Sequence, residues 1–191
     1  MGLPQLVYAG SHGFDITGPN GLEKQHEEGE QLLPILDKAE QHLNERLKNI
    51  NGVKVERKKY AIAVHYRNVE KSLTQEVKNA VLEELAQHPK LKKGSGKKII
   101  ELKPNINWHK GKALIWLIEN LEPEGDFLFP IYIGDDITDE DAFEEIANLG
   151  IGIIVGTHDQ ETAATYSLRE VAEVIPFLEE FKNYFKKKNG V

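Results

Sequence analysis

The sequence predicts an α/β protein whose parallel sheet is interrupted by an inserted α+β lobe, and three observations carry that prediction. From about residue 105 onward, helical spacing alternates with continuous apolar runs, the pattern of parallel strands covered on both faces. Between residues 14 and 104, apolar and polar residues instead alternate along short segments, as in half-solvated antiparallel hairpins. Finally, the apolar run Phe129 to Ile133 empties into GDDITDED, Gly134 to Asp141. A strand that ends in an acidic turn and re-enters a helix puts its carboxylates at the mouth of a parallel sheet, where open α/β folds bind ligands.

Each element has its own justification. Leu6 to Ala9 form an apolar run closed by Gly10, Ser11, His12 and Gly13, which predicts a strand emptying into a turn. Leu32, Leu33, Leu36, Ala39, Leu43 and Leu47 recur at helical steps, and Pro34 fits only a first turn, so this helix starts near Gln31 or Leu32. Val53 to Arg57 and Tyr60 to Arg67 predict a hairpin. Leu73, Val77, Ala80, Val81, Leu82 and Leu85 predict a second helix that stops before Pro89. Leu91 to Lys93 and Lys97 to Lys103 read as another hairpin, turning at Gly94, Ser95 and Gly96. Gly94 to Lys97 is not a phosphate-binding loop, because the first glycine of that motif would fall on Leu91 and no strand-to-helix switch follows. Pro104 to Trp108 reads as a crossing linker. Beyond it come a helix from Lys110 to Leu121, a buried strand from Phe129 to Ile133, and a helix from Ala142 to Asn148. A buried strand from Ile151 to Val155 and a last helix from Pro176 to Lys187 complete the chain.

Composition narrows the function classes. The 191 residues are 40% hydrophobic, enough for one good core or two smaller lobes. A net charge of -7 argues against a nucleic-acid surface, which needs clustered Lys and Arg; the one basic block, Lys186 to Lys188, reads as a frayed terminus. With no cysteine there is no disulfide framework and no thiolate metal site. No window approaches the roughly 20 apolar residues of a membrane span, so a cytoplasmic protein is expected.

The acidic turn has two readings. Carboxylates in a first helical turn are favoured by the macrodipole, and Thr138 could cap the backbone amide of Asp141. Yet four aspartates within seven residues, Asp135, Asp136, Asp139 and Asp141, exceed what capping requires. Crowded like charges call for a cation, and Mg²⁺ wants oxygen ligands. Lys110, in NWHKGKA, is either a solvated helix residue or, at a helix start that disfavours cations, one compensated by an anion. His65 and Arg67 lie two apart on an expected strand and share a face, as do Glu101 and Lys103. Either pair is a solvated surface or a polar face that grips a sugar. His12 is a turn or core histidine, or part of a site. Tyr8, Tyr132, Trp108 and Trp116 read as core.

Together, YAGSHGFDITGP, AVHYR, IELKPNINWHKGKA and IGDDITDEDAF, in this order, resemble the trehalose-6-phosphate phosphatases of the haloacid dehalogenase superfamily. The resemblance runs over essentially the whole chain. It implies a haloacid-dehalogenase-like Rossmannoid core with an inserted α+β cap. Residues 1–13 and 105–191 would belong to the core and 14–104 to the cap. The implied reaction is Mg²⁺-dependent hydrolysis of trehalose 6-phosphate to trehalose and phosphate through an aspartyl-phosphate. Carried over by the same likeness, Lys110 would neutralise nucleophile and phosphate, Asp135 would bind Mg²⁺, and Asp136 and Asp139 would support that ligand. His65, Arg67, Glu101 and Lys103 on the cap, with His12 at the hinge, would recognise the sugar.

Two departures accompany the likeness. The family's nucleophile motif, D-x-D-G-T, and its phosphate-holding Ser or Thr precede the YAGSHGF segment, so the implied activity requires an upstream segment that bears them, with or without a synthase domain; a fragment and a variant lacking that segment are both open readings. The core would then be incomplete, with an unfilled slot between the Leu6 segment and the Phe129 strand. His109 also stands where a short polar or acidic residue is usual. Two further functions remain open: a non-catalytic sugar-phosphate-binding or regulatory module, and a related phosphatase acting on sucrose or mannosyl phosphates.

Overall fold

The computed structural model describes residues 2–121, 128–157 and 161–188. They fall into two compact units, Met1–Trp108 and His109–Val191. The first unit begins with a small antiparallel sheet of β1 (Tyr8–Gly10), β2 (Asp15–Thr17) and β3 (Glu23–Gln25), in that order. Within it Tyr8 pairs with Thr17 and Gly10 with Asp15. Among the described residues the Leu6 segment flanks no parallel strand. A short helix α1 (Glu27–Glu30) follows.

The rest of this unit is an α+β lobe. Helix α2 (Leu33–Leu47) carries Pro34 in its first turn, where a missing N–H costs nothing. Strands β4 (Lys54–Lys58), β5 (Ala61–His65), β6 (Leu91–Gly96) and β7 (Ile99–Pro104) form an antiparallel sheet ordered β4-β5-β7-β6, with helix α3 (Thr74–Gln87) between β5 and β6 in sequence. Ile62 and Val64 of β5 and Ile100 and Leu102 of β7 form one core with Leu36, Ala39, Leu43 and Leu47 of α2 and Val77, Ala80 and Val81 of α3. Each large side chain buried there contributes about 1.5–3 kcal/mol. Period-two alternation sends Ala61, Ala63, His65, Glu101 and Lys103 to the opposite, helix-free face.

Two local expectations are corrected here. Gly94 to Gly96 do not turn; they lie in β6, with Gly94 opposite Glu101 and Gly96 opposite Ile99. The turn is Lys97–Lys98, and Lys98 adopts φ 63. Arg67 lies beyond β5 rather than on it. The ladder ends where the Tyr66 N–H donates to Lys98 O at 3.1 Å, and the chain then turns, with the Val69 N–H donating to Tyr66 O at 3.3 Å.

The second unit holds α4 (Lys110–Asn120), β8 (Ile131–Gly134), α5 (Glu140–Ile146), β9 (Ile151–Val155), β10 (Tyr166–Leu168) and α6 (Val174–Lys188). Its sheet is parallel and ordered β10-β9-β8. β9 is buried as expected, but β8 is only half-buried and begins at Ile131, while Phe129 is 49% exposed. The reason is topological: among the described residues β8 is an edge strand with β9 as its one neighbour. The apolar side of α6 is likewise open, with Phe181 and Phe185 exposed and their rings 4.7 Å apart. Lys186 and Lys187, expected to fray, are helical. Among the described residues no helix is long and apolar enough to cross a membrane.

Candidate functional site

Strand β8 ends at Gly134, and a 3-10 turn over Ile137–Asp139 carries the chain into α5. The turn is started by Asp136, not by Thr138. The Asp136 carboxylate accepts from the Thr138 N–H at 3.3 Å, and Asp136 and Asp139 form a reciprocal capping box. Thr138 Oγ1 is buried without a hydrogen-bond partner among the described residues, so its expected capping role is replaced by that of Asp136.

Asp139 is the centre of the arrangement. It is buried to 4% exposure, and its Oδ1 accepts from Lys110 Nζ at 2.8 Å and from the Tyr132 hydroxyl at 2.6 Å. Its Oδ2 accepts from the backbone N–H groups of Asp135 at 3.1 Å and Asp136 at 2.9 Å. A carboxylate offers about four lone-pair sites, and these donors occupy all of them. Burial pushes the Asp139 carboxyl up, but the Lys110 ammonium, the Tyr132 hydroxyl and the Asp136 amide outweigh it and hold the group below its ordinary 3.8. Burial and the adjoining Asp139 carboxylate push the Tyr132 phenol well above its usual range, so it remains a donor.

The other acidic groups are divided between distinct tasks. Glu140 accepts from the Thr162 hydroxyl at 2.8 Å and the Ala163 N–H at 2.9 Å, tying down the segment that precedes β10. Asp141 lies 3.9 Å from His109 Nδ1 at the start of α4. Among the described residues the Asp135 carboxylate has neither a hydrogen bond nor an ion pair, and it is exposed just past the C-terminal end of β8. Two glycines make this geometry possible. A Cβ on Gly134 would lie 2.5 Å from Asp139 Cγ, and one on Gly111 would lie 2.1 Å from the Asp141 carbonyl oxygen, where α4 and α5 touch.

A hard cation suits this turn. Its donors are carboxylate oxygens, which Mg²⁺ prefers, and Asp135 has lone pairs to offer while those of Asp139 are already filled. Asp136 is exposed beside it but spends one oxygen on the turn.

The remaining expected residues lie in the first unit. His65, Glu101 and Lys103 share the helix-free face of the four-stranded sheet, where Gly94 leaves the ground beside Glu101 and Lys103 free of side-chain bulk. His65 Nε2 lies 2.8 Å from Glu56 Oε2, and this contact, more than the nearby Lys54, holds the Glu56 carboxyl below its ordinary value. Lys58 donates to Glu101 at 2.9 Å. Arg67 is not part of that strand face; its guanidinium donates to Lys97 O at 3.4 Å. His12 occupies a left-handed turn, with Ser11, His12 and Gly13 at φ 50, 60 and 85. That conformation is costly for Ser11 and His12 but free for Gly13.

Tyr132, Glu56 and Lys58 were missed by sequence reasoning. Tyr132 reads as core because it stands in an apolar strand, and its position two residues before the acidic turn is the available signal. Lys54, Glu56 and Lys58 recur every second residue in the first hairpin, which puts them on the His65 face.

The family model for trehalose-phosphatase matches residues 1–172. The chain belongs to the trehalose-phosphatase family. The trehalose-phosphate phosphatase of Mycobacterium marinum is 42% identical over 181 residues, covering 93% of this chain and 46% of that protein. The Arabidopsis thaliana protein named Probable trehalose-phosphate phosphatase D is 43% identical over 188 residues, covering 93% of this chain and 51% of that protein. The chain thus spans about half the length of these relatives. Among solved structures, a trehalose-6-phosphate phosphatase related protein matches with a TM-score of 0.76 at 22% identity, covering 93% of this chain and 72% of that one. The C-terminal domain of the Candida albicans trehalose-6-phosphate phosphatase matches with a TM-score of 0.66 at 21% identity, covering 90% and 69%. These likenesses show the fold, an α/β architecture shared with those two proteins.

Proposed function

We propose that this member of the trehalose-phosphatase family takes part in Mg²⁺-dependent hydrolysis of trehalose 6-phosphate to trehalose and phosphate, in a cytoplasmic setting. The observation that carries the reading is the division of labour in the acidic turn. Asp139 is saturated by Lys110, Tyr132 and two amides, while Asp135 keeps an unpartnered carboxylate at the C-terminal edge of the parallel sheet. On this reading Asp135 is the principal Mg²⁺ ligand, with Asp136 beside it, and Asp139 positions rather than ligates. Bound there, the cation would supply charge neutralisation for a phosphoryl group. Lys110, held by Asp139, presents a fixed positive charge to the same anion.

We assign residues 14–104 to the cap and 105–191, with 1–13, to the core. His65, Glu101 and Lys103 then meet sugar hydroxyls on the helix-free sheet face, their orientation set by Glu56 and Lys58, and Arg67 and His12 act from adjoining turns. The 191 residues contain no D-x-D-G-T, so the reading assigns the nucleophile to a segment outside them.

Calorimetric titration of the chain with trehalose 6-phosphate, with and without Mg²⁺, tests the assignment. Mg²⁺-dependent binding that is lost in Asp135→Ala and weakened in Glu101→Gln supports it, as does poor competition by sucrose 6-phosphate and mannosyl phosphates. Absence of binding in both conditions, or unchanged Mg²⁺ dependence in Asp135→Ala, would count against it.

A further inference from the structure

Two charged side chains are buried among the described residues, Asp139 and Glu84. Asp139 has a lysine. Glu84, on α3, has no Lys or Arg among the described residues within ion-pair distance, and its Oε1 instead faces two imidazoles: His42 Nδ1 of α2 at 3.1 Å and His88 Nε2, just past the C-terminal end of α3, at 3.0 Å. A carboxylate taken out of water requires a compensating cation. Here the neighbours that meet it are metal-ligating nitrogens, not a fixed charge.

From this geometry we propose that His42, Glu84 and His88 form a binding site for a borderline divalent cation of the Zn²⁺ type. The three ligand atoms lie within 4.8 Å of one another. Zinc bonds of about 2.0–2.2 Å in a tetrahedron hold their ligand atoms roughly 3.3 Å apart, close to the two separations seen. Glu84 stands in the last turn of α3 and His88 is the residue that ends the helix, its ring 3.0 Å from the carboxylate, and packing of α2 against α3 supplies the third ligand. His42 is 56% exposed, which leaves its ring free to adjust and the fourth position open to water. Two neutral imidazoles and one carboxylate carry one negative charge toward the ion, so binding releases any proton the cluster holds. The consequence is a clamp between α2 and α3 over the core of the first unit, separate from the acidic turn and independent of the function proposed for it.

The 191-residue chain, stripped with a chelator, would be titrated with Zn²⁺ by calorimetry and with Co²⁺ by visible absorption. The expected result is one high-affinity equivalent, a tetrahedral Co²⁺ spectrum, and a rise in Tm of about 5 °C when Zn²⁺ is about 100-fold above Kd. His42→Ala and Glu84→Gln should each weaken that equivalent by more than about 100-fold, the upper cost of losing only an outer-shell partner, while Asp135→Ala leaves it intact. His42 is exposed, so its replacement tests binding without threatening the fold, and circular dichroism checks both variants. Absence of Zn²⁺ binding would overturn the site. Unchanged binding in His42→Ala, or loss of binding in Asp135→Ala, would equally overturn it.

Discussion

Replacing Asp139 by alanine should unfold the second unit far more readily than replacing Asp135, although the two aspartates are four residues apart in one motif. Asp139 is the common acceptor for Lys110, Tyr132 and two backbone amides. Removing one partner of a buried ion pair costs about 3–5 kcal/mol. Lys110 keeps 28% side-chain exposure and can turn toward water, which places the charge contribution near about 3 kcal/mol. The Tyr132 hydroxyl, half-buried and left without its acceptor, adds about 1 kcal/mol. A loss of about 4 kcal/mol, with a urea m-value of about 2 kcal/mol/M, lowers the unfolding midpoint by about 2 M. Asp135 has no partner to lose, and its replacement should stay within about 0.5 kcal/mol of the parent. The two tryptophans fall in different units, so a W108F background leaves Trp116 on α4 to report the second unit by fluorescence. Equal midpoints for the Asp135→Ala and Asp139→Ala proteins would refute the argument. So would an Asp139→Ala midpoint within about 0.3 M of the parent.

Other consequences are open to test. Gly111→Ala drives a Cβ to 2.1 Å from the Asp141 carbonyl oxygen and 2.6 Å from Glu145 Cγ, so α4 and α5 must separate; the expected loss is about 3 kcal/mol, or roughly 10 °C in Tm. Gly96→Ala, whose Cβ would meet Ile99 Cβ at an ordinary 3.8 Å, should be far milder by the same thermal scan. His26 packs between Phe14 at 5.3 Å and Trp108 at 4.7 Å, and burial, set against nearby Glu28, lowers its pKa from 6.5. The unfolded chain then takes up the proton at higher pH than the folded one. Stability is therefore full above pH 6.5 and declines as pH falls through 6.5 toward the folded value. Thermal denaturation between pH 8 and pH 5, at the bounds of about the usual stability plateau, should show this decline in the parent and a flatter profile in His26→Phe.

Much of the architecture is legible in the residues because it depends on local periodicity. Pro34 confines the start of α2, the alternation in Tyr60 to Arg67 announces β5, and the run Ile151 to Val155 announces β9. The small strands β2, β3 and β10 were not anticipated. Each is three residues long, too short for a period to register, and exists through pairing with a neighbour. Glycine usually marks a reversal, which is why Gly94 to Gly96 read as a turn. Here the register from Leu91 opposite Pro104 carries it through the strand to Lys97–Lys98.

The class of this protein follows from its residues alone: a parallel α/β half, an antiparallel lobe, four linked motifs, and an acidic turn at the end of a strand. Those features depend on residue type and spacing, which the chain carries locally. Only the tertiary structure decided what each acid does. In GDDITDED the aspartates are chemically identical, and their roles diverge because folding brings Lys110, from 29 residues away, and Tyr132 to Asp139 while leaving Asp135 in water. The same holds for Glu84, which in sequence is one helix glutamate among several. Packing of α2 against α3 buries it and surrounds it with His42 and His88. Which donors surround a carboxylate is a property of contacts between segments distant in the chain, and no local pattern encodes it.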